Sequence, residues 1–149
     1  MTETEPNGPV TYRGAVYPWH CDQVGHMNVM WYVGKFDEAT WGFFAGLGLT
    51  PAYFRTAGRG MAAVKQEITY ARELLAGDVV AVRTSLLEIR EKVIRFRHEM
   101  VREEDGETAA VTRITAVHLD TGARRSCPFP TAVLEKGEGL VRPDPEEQP

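Results

Sequence analysis

The sequence predicts an α+β fold in which a five-stranded antiparallel sheet wraps around one long helix. Three observations point to it. The stretch Asn28–Leu47 repeats its apolar residues at helical spacing. Four later stretches read as strands, with turns at Gly77-Asp78 and Asp105-Gly106 between them and Asp120-Thr121-Gly122 closing the last. One more strand-like stretch precedes the helix. Short turns make antiparallel neighbours, and a single helix laid on such a sheet is an α+β arrangement.

Val10–Tyr17 reads as the first strand, stopped by Pro18. Trp19–Met27 shows no period and reads as a loop. At about 100° per residue, Tyr32, Val33, Phe36, Ala39, Phe43, Phe44 and Leu47 share one stripe about 140° wide, the core face of a helix. Gly46 and Gly48 supply its stop signals, with Pro51 beyond. Residues 50–59 read as a connector with a short helical turn at Pro51–Thr56. Gly60–Glu73, Val79–Ile89, Lys92–Arg102 and Thr108–Leu119 read as strands. In the third of these, Ile94, Phe96, His98 and Met100 fall on one face and Arg95, Arg97 and Glu99 on the other. Thr131–Lys136 reads as a last short helix. A twisted sheet around one buried helix is the hotdog architecture.

At 149 residues the chain suits one domain. That domain is expected over 10–136. Residues 1–9 and 137–149 are polar and rich in Pro, Gly and Glu, so both read as flexible tails. No apolar run reaches the ~18 residues of a membrane span, and Met1–Pro9 lacks the basic start and apolar stretch of a secretory leader. Two cysteines, Cys21 and Cys127, make no disulfide framework, so the cytoplasm is the expected compartment. The net charge of −4, without a basic block, argues against nucleic acid as a partner, and no membrane partner is expected. An anionic ligand would have to be held by local groups.

The helix has an unusual second face: Trp31, Gly34, Lys35, Glu38, Trp41, Gly42 and Ala45. Two Trp and two Gly suggest close contact with another subunit or a ligand. The two edges of the sheet also need covering or pairing. Both features predict a homo-oligomer.

Reactive groups are densest in His20-Cys21-Asp22-Gln23-Val24-Gly25-His26-Met27-Asn28, directly before the helix. Backbone N–H groups at a helix start favour developing negative charge. An acid beside such donors suits hydrolysis of an acyl bond: the donors hold the oxyanion while the carboxylate activates water or attacks. The same residues also have plainer roles. Asp22 can close an Asx-turn, Asn28 can cap the helix, His26 can brace the loop and Cys21 can be a small buried side chain. His20, Cys21 and His26 are metal-ligand types, but their spacing matches no standard zinc pattern, so no metal is expected. Glu38, midway along the second face, is an alternative acid; an ion pair with Lys35 competes with that role.

The run Asp22-Gln23-Val24-Gly25-His26-Met27-Asn28-Val29-Met30-Trp31-Tyr32, followed by Phe36-Asp37-Glu38-Ala39, resembles the signature of hotdog-fold acyl-CoA thioesterases. The likeness is to the group that includes 4-hydroxybenzoyl-CoA thioesterase of the Asp-dependent type, and it spans about residues 10–135. It implies hydrolysis of an acyl-CoA thioester to free acid and coenzyme A. In that reading Asp22 is the catalytic carboxylate, as general base or nucleophile. Gly25 and His26 form the loop whose N–H groups polarise the carbonyl, and Asn28 orders that loop or touches substrate. Trp19 and Tyr32, with Phe36, would meet the acyl group. The resemblance also implies a site between two subunits of a homodimer or homotetramer, with Arg90 and Lys92 or Arg124 and Arg125 on the coenzyme A phosphates. It implies no metal or redox cofactor, coenzyme A entering only as part of the substrate. The alternative is a hotdog module that binds acyl-CoA without turnover, since function lies in the site rather than the fold. Another hotdog chemistry, such as dehydration, would use the acid and His26 differently.

Overall fold

The computed structural model describes residues 7–147. Along the chain run β1 (Val10–Ala15), α1 (Val29–Leu47), α2 (Pro51–Ala57), β2 (Arg59–Tyr70), β3 (Val79–Ile89), β4 (Val93–Arg102), β5 (Thr108–Asp120), β6 (Arg125–Ser126) and α3 (Thr131–Glu138). A single turn of tight helix, Pro18–His20, sits between β1 and α1. The strands lie in the order β1-β3-β4-β5-β2, and the two-residue β6 pairs antiparallel with the end of β5. This is the hotdog arrangement of a curled five-stranded antiparallel sheet with a long helix.

One neighbour differs from the sequence reading. β2 lies beside β5 rather than β3. The connection over residues 71–78 is no hairpin turn, because it carries Leu74, which is fully buried. Its backbone is bonded elsewhere: the Leu74 carbonyl accepts from Met27 N–H and Gly77 N–H donates to the Val16 carbonyl.

The chain divides into two units. The first comprises the chain up to Gly42, Ile68–Thr84 and His98–Thr112. The second comprises Phe43–Glu67, Ser85–Arg97 and the chain from Arg113 on. In the first unit Tyr32, Phe36 and Ala39 of α1 join Val16, Met27, Leu74, Val80, Val82 and Met100 in one core. Gly42 lets β1 come close to the helix, since a Cβ there would stand 2.9 Å from the Thr11 carbonyl oxygen. A chain of buried polar groups crosses this core. Thr11 and Thr84 hydroxyls are 2.7 Å apart, Thr84 is 2.7 Å from His98 Nδ1, and His98 Nε2 is 2.8 Å from the Thr40 hydroxyl. Such a satisfied chain offsets the cost of burying an imidazole.

The second unit has its own core: Phe43, Phe44, Leu47, Leu86, Ile94, Phe96, Ile114 and Val133. Thr50 caps α2 by accepting from Tyr53 N–H, and Gly58, at φ 64, ends it. His118 is fully buried between the Tyr53 hydroxyl, 2.9 Å from Nε2, and the Cys127 carbonyl, 2.9 Å from Nδ1. Nδ1 therefore donates to the carbonyl, and Nε2 accepts from the phenol.

Part of the stretch read from composition as a C-terminal tail carries specific contacts in this unit. Arg113 grips Asp144 with Nε and Nη2, at 2.5 and 2.9 Å, and Nη2 of Arg97 reaches Glu146 at 3.2 Å. Arg142 N–H donates to the Leu86 carbonyl. The outermost tail positions, 1–6 and 148–149, lie outside the described residues. No helix among the described residues is long and apolar enough to cross a membrane.

Candidate active site

The loop between the tight turn at His20 and the start of α1 closes on itself. Cys21 and Met27 form an antiparallel bridge, and Asp22 N–H donates to the His26 carbonyl. Residues 22–25 make a turn in which Gly25 N–H donates to the Asp22 carbonyl at 3.0 Å. Gly25 has φ 92, a conformation that costs other residues a steric clash.

Asp22 stands half-buried at the centre. Its Oδ1 accepts from Val24 N–H and its Oδ2 from Asn28 Nδ2, each at 2.9 Å. The Asn28 hydrogen bond first, and the Val24 N–H second, hold this carboxyl below the usual aspartate range. It is an anion at neutral pH, with both oxygens fixed in direction.

Asn28 does two jobs with one amide. Its Oδ1 accepts from Met30 N–H and so caps α1, while its Nδ2 orients Asp22. The sequence set a helix cap against a part in the chemistry; the geometry shows the cap together with a hold on Asp22. His26 Nε2 lies 3.0 Å from Glu73 on a mostly exposed rim, which is a brace for the loop. Within the loop the N–H groups of Asp22, Val24, Gly25, Met27 and Asn28 are all bonded. Those of Gln23, His26 and Val29 have no acceptor among the described residues.

The other residues singled out in the sequence fall in different places. Trp19 is exposed and stacks on Tyr17, ring centroids 4.5 Å apart. Tyr32 does not join it. Tyr32 is buried in the first core and donates its hydroxyl to the Arg72 carbonyl at 3.0 Å. Phe36 is buried as well, stacked on His98. Both lie on the core stripe of α1, and that stripe decides their place. Arg90, Lys92, Arg124 and Arg125 all belong to the second unit. Arg90 pairs with Glu88 at 3.1 Å, and Arg124 takes a left-handed turn conformation, φ 55. Lys92 lends its carbonyl to His118 N–H.

Three features of the first unit were missed. Lys35 is buried, with Nζ 3.0 Å from the Tyr12 hydroxyl and 3.2 Å from the Ala15 carbonyl, rather than paired with Glu38. The second face of α1 is thus covered in part by the chain's own β1. Beside it lies a hollow of about 530 Å³ lined by Tyr12, Tyr17, Trp19, Trp31, Lys35 and Glu38 among others. His20 is also in its wall, its ring 4.5 Å from that of Trp31. The one available signal was the pair of Trp and Gly residues on the second face of the helix.

A curled antiparallel sheet with a long helix defines a class of protein, the hotdog proteins. The chain belongs to the thioesterase-like superfamily, which matches residues 16–137. It is 34% identical over 113 residues to the L-carnitine dehydrogenase/betainyl-CoA thioesterase of Agrobacterium fabrum, a match covering 76% of this chain and 23% of that protein. It is 28% identical over 131 residues to the betainyl-CoA thioesterase of Pseudomonas aeruginosa, covering 88% and 82%. The chain therefore spans about a quarter of the first relative and most of the second. Among solved structures, protein SAV2348 of Staphylococcus aureus, determined in complex with CoA, shares the fold. The TM-score is 0.83 at 19% identity, over 92% of this chain and 89% of that one.

Proposed function

We propose that this protein hydrolyses an acyl-CoA thioester to the free acid and coenzyme A, with Asp22 as the essential acid. The observation that carries this reading is the Asp22 carboxylate, anionic and aimed by Asn28 and Val24 at the start of α1. As a general base it takes a proton from water while the water oxygen bonds to the thioester carbon. The carbonyl oxygen becomes an oxyanion facing the His26 and Val29 N–H groups. When the tetrahedral species collapses the C–S bond breaks, and the coenzyme A sulfur takes up the proton. As a nucleophile, Asp22 would instead bond to the thioester carbon and expel the coenzyme A thiolate, leaving a mixed anhydride that water opens. Single turnover in heavy-oxygen water probes the choice. Unlabelled acid with the label left in Asp22 marks a nucleophile whose anhydride opens at the aspartyl carbon, whereas a base puts the label in the acid at the first turnover.

In this reading Trp19 meets the acyl group. Arg90 and Lys92, or Arg124 and Arg125, hold the coenzyme A phosphates, and no metal or redox cofactor takes part. The active form is a homodimer or homotetramer. Val29 and Met30, more than half exposed at the start of α1, and the exposed Val64 on the edge strand β2 support that. A monomer in light scattering would overturn it.

The test is a panel of acyl-CoAs with thiol release as the readout, on the protein and on Asp22→Asn. Betainyl-CoA, after which both curated relatives are named, heads the panel. Turnover abolished by the substitution supports the proposal. Turnover untouched by it overturns the role of Asp22. Binding without turnover across the panel makes the protein an acyl-CoA-binding module instead.

A further inference from the structure

The hollow beside the site loop has a composition of its own. Tyr17 and Trp19 are stacked nearly parallel, 2° between planes, and remain 48% and 67% exposed. Trp31 and the His20 ring continue the same wall. Large aromatic faces left in water beside a cavity of about 530 Å³, a size usual for small-ligand sites, mark a surface built to be covered. Gly14 leaves room in the wall for the Tyr12 phenol, which a Cβ there would meet.

The charges in the wall select among ligands. His20 Nδ1 accepts from Tyr17 N–H at 2.9 Å. Burial first, and the Lys35 charge second, push its pKa down, so the ring is neutral. The Lys35 ammonium balances Glu38 in the lining, but it is buried and donates to the Tyr12 hydroxyl and the Ala15 carbonyl, whereas the aromatic faces are open to a ligand. Glu38 supplies the negative charge in the lining. An anion would meet this carboxylate and the electron-rich faces of the rings. A primary ammonium would need acceptors for its N–H groups, and the π faces offer weak ones. A cation without N–H groups and with a weak hydration shell fits both the rings and the carboxylate.

We propose that the hollow of Tyr17, Trp19, Trp31 and Glu38 binds a quaternary ammonium group and is the seat of the acyl part of the substrate. The inference rests on the thioesterase reading for its second half only. The two places are joined through Asn28. Its backbone N–H donates to the His20 carbonyl at 2.9 Å, and its side chain holds Asp22. The aromatic wall and the acid are thus anchored to the same residue.

Two measurements test it on the full chain. The first compares kcat/KM for betainyl-CoA with that for 3,3-dimethylbutyryl-CoA, where an uncharged tert-butyl group replaces trimethylammonium. The charged substrate is expected to be favoured about ten-fold, the scale of one desolvated cation–π contact. Trp19→Leu and Glu38→Gln should each erase most of that preference, lowering kcat/KM for the charged substrate more than for the uncharged one. Equal rates for the two substrates, or variants that lower both alike, overturn the proposal. The second measurement is direct binding by tryptophan fluorescence. Tetramethylammonium is expected to give a saturable change, weakened in Tyr17→Leu and Glu38→Gln, and sodium acetate none. A response to acetate alone, or to neither, overturns the site. If no acyl-CoA is turned over, the thioesterase reading fails, and the tetramethylammonium titration still decides the ammonium site.

Discussion

Asp22 in the first unit and Asp144 in the second are each held in a fixed pose, and by opposite means. In the first unit Asp22 is half-exposed and is held by an amide and a backbone N–H, with no cation in contact. In the second unit Asp144 is buried and is gripped by both arms of Arg113. The guanidinium holds the Asp144 carboxyl down at about 2. A carboxylate aimed by neutral donors keeps its charge available to a ligand. A carboxylate locked to a guanidinium has its charge cancelled, and what remains is a fastening. On the proposed function the first aspartate acts and the second holds the chain.

Asp22→Asn tests the first half of that comparison and has the largest expected effect. Turnover should fall about 10³-fold, within the usual range for a positioned acid or base, with the thermal midpoint unchanged. Loss of fold together with activity would make Asp22 a fastening too.

Asp144→Asn tests the other half. Removing the Asp144 charge leaves Arg113 only its contact to the exposed Glu146, 2.9 Å away, so the loss should stay below the roughly 3–5 kcal/mol of a fully broken buried pair. Urea denaturation should show that loss, while kcat of the folded fraction stays unchanged. A stable variant with depressed kcat would reverse the assignment of roles.

Acid separates the two fastenings further. Burial pushes His98 down to about 3, whereas an unfolded histidine titrates near 6.5. Its stabilising effect is complete above pH 6.5 and is lost progressively as pH falls toward 3, because the unfolded chain gains the proton first. At pH 5 the loss is about 2 kcal/mol. Burial also lowers His118 in the second unit, with the same sign. The Asp144 clamp behaves differently: it is complete above the ordinary aspartate value near 3.8 and fails only as pH falls to about 2. Denaturation of the wild type and of His98→Gln at pH 7 and pH 5 should show a smaller acid loss in the variant. Equal losses would place the acid sensitivity elsewhere.

What was legible in the sequence followed from distance along the chain. The stripe of α1 and the alternation in β4 are local periodicities, and Phe36, Phe43, Ile94, Phe96 and Met100 are all buried as expected. Val33 is the exception on that stripe, 40% exposed at its edge. The loop around Asp22 was legible because its members lie within nine consecutive positions. Long-range features were not. Lys35 reads as a surface residue until Tyr12 and the Ala15 carbonyl arrive from β1. Arg97 reads as solvent-facing until the chain around Asp144 and Glu146 folds against it. That segment is rich in Pro and Glu, and its composition conceals a partner that only tertiary contact reveals.

Asn28→Ala sharpens the account of Asp22. Losing the helix cap costs about 1 kcal/mol. Losing the Nδ2 bond removes the first cause of the low carboxyl pKa, so the acid limb of kcat/KM should move to higher pH. Asn28→Asp would restore the cap but set a like charge beside Asp22, moving the limb further up. An acid limb that stays in place in both variants would detach it from Asp22.

The smallest effect is expected at the rim. His26 and Glu73 meet at 3.0 Å, but the glutamate is mostly exposed and the histidine partly so. Pairs of this kind contribute about 0.2–1 kcal/mol and weaken with salt. Glu73→Gln should therefore change kcat by less than about three-fold. The backbone of His26 stays anchored by its carbonyl bond to Asp22 N–H, and the next residue by the Met27 bond to Leu74. If His26 supplies only its N–H to the oxyanion, His26→Ala should be nearly as mild as Glu73→Gln. A loss approaching that of Asp22→Asn in His26→Ala alone would show that the imidazole itself enters the chemistry, and the first unit would then hold two acting groups rather than one.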